Sequence, residues 1–141
     1  MSYSHSVFSE QINIICVLDK KIIPCIINLS RQEVIDMEYT FTQENFSKEV
    51  LGSKQPVLID FYADWCPPCK MMGPIVRKLA DKYDGKVKIG KVNSDQQPEL
   101  ARQFGVMSIP NFVFIKDGKL VDQVVGAMPQ HVLEQRIQNI L

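Results

Sequence analysis

The sequence lacks most features that mark membrane-bound or nucleic-acid-binding proteins. No apolar run approaches the roughly 18 residues that a membrane-spanning helix needs, so no contact with a membrane is expected. The 16 basic and 16 acidic side chains cancel, and this balance argues against a nucleic-acid binder, which would carry a basic surplus. No Gly-x-Gly-x-x-Gly fingerprint of a bound dinucleotide occurs.

The N-terminal residues do not resemble a secretory signal. Met1 to Ser9 contain no Lys or Arg, and no clear small-residue cleavage site follows the next apolar run. A cytoplasmic location is therefore expected. In a reducing cytoplasm the 4 cysteines favour catalytic or free thiols over structural disulfides.

The length of 141 residues suits one domain with one hydrophobic core. Residues 1–36 show no convincing periodic pattern, whereas strand and helix patterns follow one another in residues 37–141. We therefore divide the chain into an N-terminal extension, 1–36, and a domain, 37–141. The extension is interpreted as an appended, poorly structured segment or as the product of a non-native start, with Met37 as a possible natural start.

Cys16 and Cys25 lie in this extension. A hairpin turning at Lys20-Lys21 would set the two cysteines opposite one another. However, Lys-Lys is disfavoured in tight hairpin turns, and Pro24 would confine its strand to a sheet edge. Neither this hairpin nor a disulfide between the two cysteines is expected, and the state of both thiols stays open.

The patterns of the domain predict an α/β fold. Strands that alternate with helices imply a central mixed sheet, mostly parallel with an antiparallel hairpin at its edge, flanked by helices on both faces. Asp117-Gly118 strongly favours a hairpin turn. The predicted elements are a helix over 42–51, a strand over 57–62, helices over 70–83 and 98–104, a strand over 87–92, strands over 111–115 and 120–125, and a helix opening at Pro129.

The segment Cys66–Cys69, Cys-Pro-Pro-Cys, lies between the predicted central strand and the following helix. At a helix start, unpaired N–H groups and the helix dipole favour a thiolate, which is the attacking species in disulfide exchange. The spacing lets both sulfurs meet within one helical turn. Half of a zinc site is the alternative, but Cys16, Cys25 and the 2 histidines lack metal-ligand spacing, so no metal is expected.

Asp60 is an acid inside the apolar strand that precedes the two cysteines. Desolvation there should raise the pKa of its carboxyl and suit it to accept a proton. The alternative is a carboxylate that merely reaches solvent at the end of the strand.

These residues resemble the thioredoxin family. The similarity covers residues 37–141, with its landmarks in the right order and spacing. The landmarks are the active-site segment Asp60–Lys70, the kink proline Pro74, the third-strand ending Lys91–Asp95, the cis-proline loop Ile109-Pro110 and the glycine beside the site, Gly126.

The resemblance implies a thioredoxin fold and a protein-disulfide reductase that cycles between dithiol and disulfide. Cys66 would be the exposed nucleophile and Cys69 the resolving thiol. Asp60 would take the proton of Cys69, and Lys91 would moderate that carboxyl unless it is an ordinary surface lysine. No cofactor is expected beyond the redox-active disulfide. Electrons would come from a separate thioredoxin reductase, substrates would be proteins with disulfides, and a monomer is expected.

The resemblance also implies a substrate-binding surface. A cis bond before Pro110 would leave the backbone of Ile109 free to pair with an extended substrate peptide. Trp65, Ile109 and the pair Val125-Gly126 would form an apolar rim. Core packing of Trp65 is the alternative.

Three residues depart from the usual family pattern. Pro67 replaces glycine, Tyr62 replaces tryptophan, and Asn111, which bears on substrate preference, replaces threonine. Pro67 and Pro68 should tune the redox potential. The second proline removes a backbone N–H that would stabilise the Cys66 thiolate, but it also stiffens the loop and so holds the disulfide geometry better. The sign of the change in reduction potential therefore stays open.

Two other functions stay open. One is a disulfide oxidase or isomerase that works outside the cytoplasm, and the other is a non-catalytic thioredoxin-like binding subunit. Ile109 before Pro110 and the absence of a secretory signal favour the reductase. The sequence does not name the substrates or the reductase partner.

Overall fold

A computed structural model describes residues 13–18, 21–26 and 37–141. The chain divides into two units, Met1–Ile35 and Asp36–Leu141. In the described part of the chain, no helix is both long enough and apolar enough to cross a membrane.

The first unit contains a hairpin that the sequence pattern did not favour. Strand β1 (Asn13–Leu18) pairs antiparallel with β2 (Lys21–Ile26), and Leu18 lies opposite Lys21. A turn at Lys20-Lys21, which the sequence disfavoured, does not occur, because Lys21 already belongs to β2. Both strands are rich in isoleucine, whose high strand propensity favours this pairing.

The two cysteines of this hairpin are not register partners. Cys16 is paired with Ile23, and Cys25 with Ile14. The facing arrangement considered from the sequence is therefore wrong, since it assumed a different turn. The interpretation of the extension as appended, poorly structured or non-native stays a prediction, and most of residues 1–36 lie outside the described residues.

In the second unit the elements follow the predicted order, with one addition. Strand β3 was not predicted because two residues are too few to show an alternating pattern. The elements are β3 (Tyr39–Thr40), a π-helical turn (Ser47–Leu51), β4 (Val57–Tyr62), α1 (Pro67–Lys82), β5 (Lys88–Asn93), α2 (Pro98–Gln103), β6 (Asn111–Lys116), β7 (Lys119–Val125) and α3 (Gln130–Ile140).

Two helix starts differ from the prediction. Helix α1 begins at Pro67 rather than Lys70, since prolines suit the first turn, where no N–H is needed. The helix expected from Thr42 is only the turn Ser47–Leu51. The carbonyl of Thr42 accepts the N–H groups of Asn45 and Phe46 at 3.2 and 2.9 Å, and its N–H donates to Oδ1 of Asn45 at 2.8 Å, so residues 42–46 form a capped turn before the π-helical one.

The sheet has the order β3-β5-β4-β6-β7, with β4 at its centre. Strands β3, β5 and β4 are parallel, and β6 runs antiparallel to both β4 and β7. The predicted mixed α/β fold is confirmed. The antiparallel part reaches further inward than expected, because β6 lies directly beside the central strand.

The predicted turn between β6 and β7 is confirmed. Asp117 and Gly118 have φ angles of +53° and +72°, and Lys116 lies opposite Lys119. Two consecutive left-handed residues match the twist of the flanking strands, which explains why an Asp-Gly pair stands here.

Strand β4 is buried on both faces because its side chains alternate between two apolar cores. Leu58 packs on the side of α1 and α3, with Val76 and Leu133 among its neighbours. Phe61 packs on the opposite side with Leu100 of α2. A fully buried side chain of this size contributes about 1.5–3 kcal/mol to folding. The same alternation directs the side chain of Asp60 toward the side of the sheet that α1 covers.

Gly90 marks a close approach between β5 and the chain around β3. A Cβ atom at this position would lie 2.6 Å from the carbonyl oxygen of Tyr39 and 2.5 Å from Cε2 of Phe41. We predict that Gly90→Ala lowers the free energy of unfolding by about 1–3 kcal/mol, because the backbone of β3 must move to admit the methyl group. Urea denaturation measures this change.

Gly73 provides the matched control. A Cβ there meets no atom within 4 Å outside residues 72 and 74 and the nearby backbone of its own helix, α1. Gly73→Ala should change the free energy of unfolding less than Gly90→Ala does, because the gain in helix propensity is opposed by crowding of the new Cβ against Pro74. Equal effects of the two alanines would contradict the close approach at Gly90.

Candidate active site

Cys66 and Cys69 form a disulfide at the start of α1. Cys66 is the N-cap residue, with an extended backbone, and its Sγ accepts the N–H of Cys69 at 3.3 Å. Pro67 and Pro68 occupy the first two helical positions and have no N–H to donate. Of the first three helical residues, Cys69 alone has a backbone donor for the Cys66 sulfur.

The disulfide is buried, which corrects the expectation of an exposed Cys66. Cys66 is 2% exposed and Cys69 is 4% exposed. Both cluster with Ala63 against the half-buried Tyr62 and Ile109. Sγ of Cys66 lies 3.9 Å from the carbonyl oxygen of Ile109. The backbone at residue 109 therefore covers the sulfur in the disulfide form.

The loop in front of the disulfide contains a cis peptide bond between Ile109 and Pro110, as the resemblance implies. The carbonyl oxygen of Pro110 accepts the N–H of Gly126 at 2.8 Å. Gly126 has a φ of +97°, a conformation that favours glycine. This hydrogen bond holds the end of β7 beside the cysteines.

Trp65 is 67% exposed, so the alternative of core packing is wrong. Val125 is also exposed, at 54%. Trp65 precedes Cys66, and Val125 precedes the glycine that bonds to the Pro110 loop. Both apolar side chains are thus exposed to solvent rather than packed in a core.

A polar network holds the exposed Trp65, and sequence reasoning missed it. The indole N–H of Trp65 donates to Oδ2 of Asp95 at 2.8 Å. Oδ1 of Asn93 accepts the N–H of Asp95 at 3.0 Å, while its Nδ2 donates to Asp64 at 3.3 Å. The resemblance marked the segment that contains Asp95, but no pattern in the sequence shows which side chain it bonds.

Asp60 is 3% exposed, so the alternative of a solvent-facing carboxylate is wrong. It lines a cavity of about 350 Å³ together with Cys69, Glu38 and Lys91. Its Oδ1 accepts no hydrogen bond from the described part of the chain. Desolvation, reinforced by the negative charge of Glu38 and opposed by Lys91, raises the pKa of Asp60 from 3.8 to about 7.

Lys91 lies beside Asp60 in the register of β4 and β5. Its Nζ is 3.2 Å from Oε2 of Glu38, and these two side chains are 27% and 4% exposed. The reading of Lys91 as an ordinary surface lysine is therefore wrong. Glu38 was missed because it precedes the two-residue strand β3, whose pairing with β5 no sequence pattern predicts.

The raised pKa of Asp60 predicts an unusual dependence of stability on pH. Between pH 4 and 7 the folded state holds a proton that the unfolded state has lost, so native stability falls as pH rises. The gap between 3.8 and about 7 corresponds to roughly 4 kcal/mol. Asp60→Asn lacks this titrating carboxyl. The free energy of unfolding of the variant minus that of the native protein should therefore increase from pH 4 to pH 8.

Urea denaturation of the oxidised protein across this pH range provides the measurement. Contributions from groups that do not interact with Asp60 cancel in the difference between the two proteins, since both contain them. A difference that does not change with pH would contradict the burial of the Asp60 carboxyl.

A disulfide at a helix start, next to a cis-proline loop and backed by a buried acid, is the arrangement of a thiol–disulfide oxidoreductase. The family model described as Thioredoxin matches residues 38–139. The chain belongs to the thioredoxin family.

Individual relatives agree with the family match. The chain is 49% identical over 96 residues to "Thioredoxin" of Chlorobaculum thiosulfatiphilum, a match that covers 68% of this chain and 89% of the relative. It is 47% identical over 100 residues to "Thioredoxin 1" of a Nostoc species, covering 71% and 94%. It is 37% identical over 113 residues to "Thioredoxin M-type, chloroplastic" of Pisum sativum, covering 80% and 66%.

The predicted function is confirmed at this level. The protein is a thiol–disulfide oxidoreductase that reduces protein disulfides, with a disulfide present between Cys66 and Cys69.

Proposed function

We propose that the protein is a thioredoxin whose redox centre, Cys66–Cys69, is a two-proline variant of the family's active site. In the reduced state Cys66 is the nucleophile and Cys69 is the resolving thiol. The observation that carries this assignment is the disulfide at the N-cap of α1, with Sγ of Cys66 accepting a helix N–H. This position favours a thiolate at Cys66 rather than at Cys69.

The reaction has two exchange steps. The Cys66 thiolate attacks one sulfur of a substrate disulfide, forms a mixed disulfide and releases the first substrate thiolate, which takes up a proton. Cys69 then loses its proton and attacks Sγ of Cys66, which closes the Cys66–Cys69 disulfide and releases the second substrate thiolate. The substrate gains two electrons from the two cysteines. Its two thiolates take up two protons, one lost by Cys69 and one from solvent, which received the proton of Cys66 when that thiolate formed.

Asp60 is proposed as the base of the second step. It lines the same cavity as Cys69, and its pKa of about 7 suits proton exchange near neutral pH. Lys91, its neighbour across β4 and β5, moderates that pKa through its positive charge. Both residues act behind the disulfide, on the side away from the cis-proline loop.

The substrate is proposed to dock in front of the disulfide. An extended peptide would pair with the backbone of Ile109 before Pro110, as in strand addition. The apolar side chains of Trp65 and Val125, with Gly126 between the loop and β7, would form the rim. The exposure of Trp65 and Val125 supports this surface.

The wider setting is also a proposal. We infer that a separate thioredoxin reductase supplies the electrons, that the disulfide is the only redox group, and that the protein works as a monomer in the cytoplasm. A dithiol that must stay reduced suits a reducing compartment. A reduction potential well above the cytosolic glutathione poise would instead indicate an oxidase or isomerase.

Variants of the four cysteines test the assignment. Cys66→Ser should abolish the reduction of insulin by dithiothreitol that the native protein catalyses, because no thiolate remains to attack. Cys69→Ser should retain the first step and accumulate mixed disulfides with substrate proteins, visible on non-reducing gels. Cys16→Ser and Cys25→Ser are matched controls and should retain turnover.

Two outcomes would reject the reductase assignment. One is native-level turnover by Cys66→Ser. The other is no turnover by the native protein, which would leave the binding-subunit alternative.

Each of the two prolines can be tested for its effect on the reduction potential. An N-cap side chain accepts from the second or third helical N–H, and Pro68 occupies the second position. Pro68→Ala therefore adds a donor to the Cys66 thiolate and stabilises the reduced form. The potential should rise by roughly 30 mV, since a hydrogen bond to a charged group contributes about 1.5 kcal/mol.

Pro67→Ala is the matched control, because the first helical N–H does not point at the N-cap sulfur. Its potential, measured against glutathione, should change clearly less than that of Pro68→Ala. An equal rise in both variants would show that loop stiffness, not the added donor, sets the potential.

A further inference from the structure

We propose that Glu38 is a positioning residue of the redox site, which holds the Lys91 ammonium in an ion pair and so controls how much positive charge reaches Asp60. This inference rests on the proposed function, in which Asp60 takes the proton of Cys69. It adds a third charged group to the site.

The geometry comes from three neighbouring strands. Lys91 on β5 has Asp60 of β4 as its register partner on one side and Thr40 of β3 on the other. Glu38 lies just before β3, and its Oε2 reaches Nζ of Lys91 at 3.2 Å. The lysine thus stands between two carboxyl groups on the two neighbouring parts of the chain.

Burial strengthens the electrostatic effect of this ion pair on Asp60. The Glu38 side chain is 4% exposed, and a carboxylate is rarely buried so completely unless it is paired. Interactions between charges are screened much less there than at the surface. The Oδ1 atom of Asp60 accepts no hydrogen bond from the described residues, so nearby charges weigh heavily on its protonation.

Other charged groups face the same cavity. Helix α1 contributes Lys70 and Arg77, the loop after β4 contributes Asp64, and the end of β4 contributes the phenol of Tyr62. These groups remain in place when Glu38 is changed, so a Glu38 variant isolates one carboxylate. Arg77 also interacts with another group.

The effect of removing the Glu38 charge has a definite sign. Glu38→Gln abolishes the repulsion between two carboxylates and frees more of the Lys91 charge for Asp60. Both changes favour the ionised form of Asp60 and lower its pKa. Glutamine keeps the size of the side chain and can still accept a hydrogen bond from Lys91, so the packing before β3 is preserved.

The titration of Asp60 tests the proposal without reference to catalysis. The carboxyl ¹³C resonance of Asp60, assigned by its loss in Asp60→Asn, is followed against pH in the oxidised full chain. In Glu38→Gln the midpoint should move to lower pH by about one pH unit, the order of effect of a nearby charge. Glu38→Asp, which keeps the negative charge, should return it toward the native midpoint.

Glu99→Gln is the matched control, because it removes one carboxylate from an exposed pair with Arg102. Its Asp60 midpoint should equal the native one. An unmoved midpoint in Glu38→Gln, or an equal movement in both glutamine variants, would overturn the role of Glu38 and leave the reductase function intact.

A kinetic measurement separates this inference from the role of Asp60. The rate at which Cys69 closes the disulfide is measured against pH in a single turnover. Its profile should shift to lower pH in Glu38→Gln but not when Asp60→Asn is already present. A shifted Asp60 titration with an unshifted profile would support Glu38 as the controlling charge and reject Asp60 as the base.

Discussion

The burial of strand β4 on both faces is the constraint on which the redox site depends. Its apolar side chains alternate between two cores, and this alternation fixes the direction of every residue along the strand. Asp60 is thereby directed toward α1, where only 3% of the residue is exposed. The same strand leads directly into the cysteine segment, so one element positions both the disulfide and the acid behind it.

Charge at the site follows from this burial. The Asp60 carboxyl is desolvated, and its Oδ1 accepts no hydrogen bond from the described chain, so its pKa is raised. The protonation of Asp60 is then decided by its nearest charges, Lys91 and Glu38, which reach it through neighbouring strands. In front of the disulfide the constraints are different: the chain forms a cis-proline loop and leaves Trp65 exposed.

Much of this could be predicted from the sequence where local chemistry is strong. The bounds of β4, the Asp117-Gly118 turn and the mixed α/β fold were predicted, because burial and left-handed backbone leave clear patterns. Long-range pairing left no pattern, so β3 and the approach of Glu38 to Lys91 were missed. The prediction that Cys66 is exposed was wrong, because the backbone of Ile109, far away in the chain, lies against its sulfur.

The proposed proton transfer is tested most directly by the rate at which Cys69 closes the disulfide, measured by stopped flow with a chromogenic aromatic disulfide as substrate. The release of the second aromatic thiolate reports this step. In the native protein its rate should rise with pH through a midpoint near the Asp60 pKa of about 7. In Asp60→Asn that midpoint should vanish, and the rate at pH 7 should fall about a hundredfold. An unchanged rate and profile in Asp60→Asn would contradict the role of the buried acid.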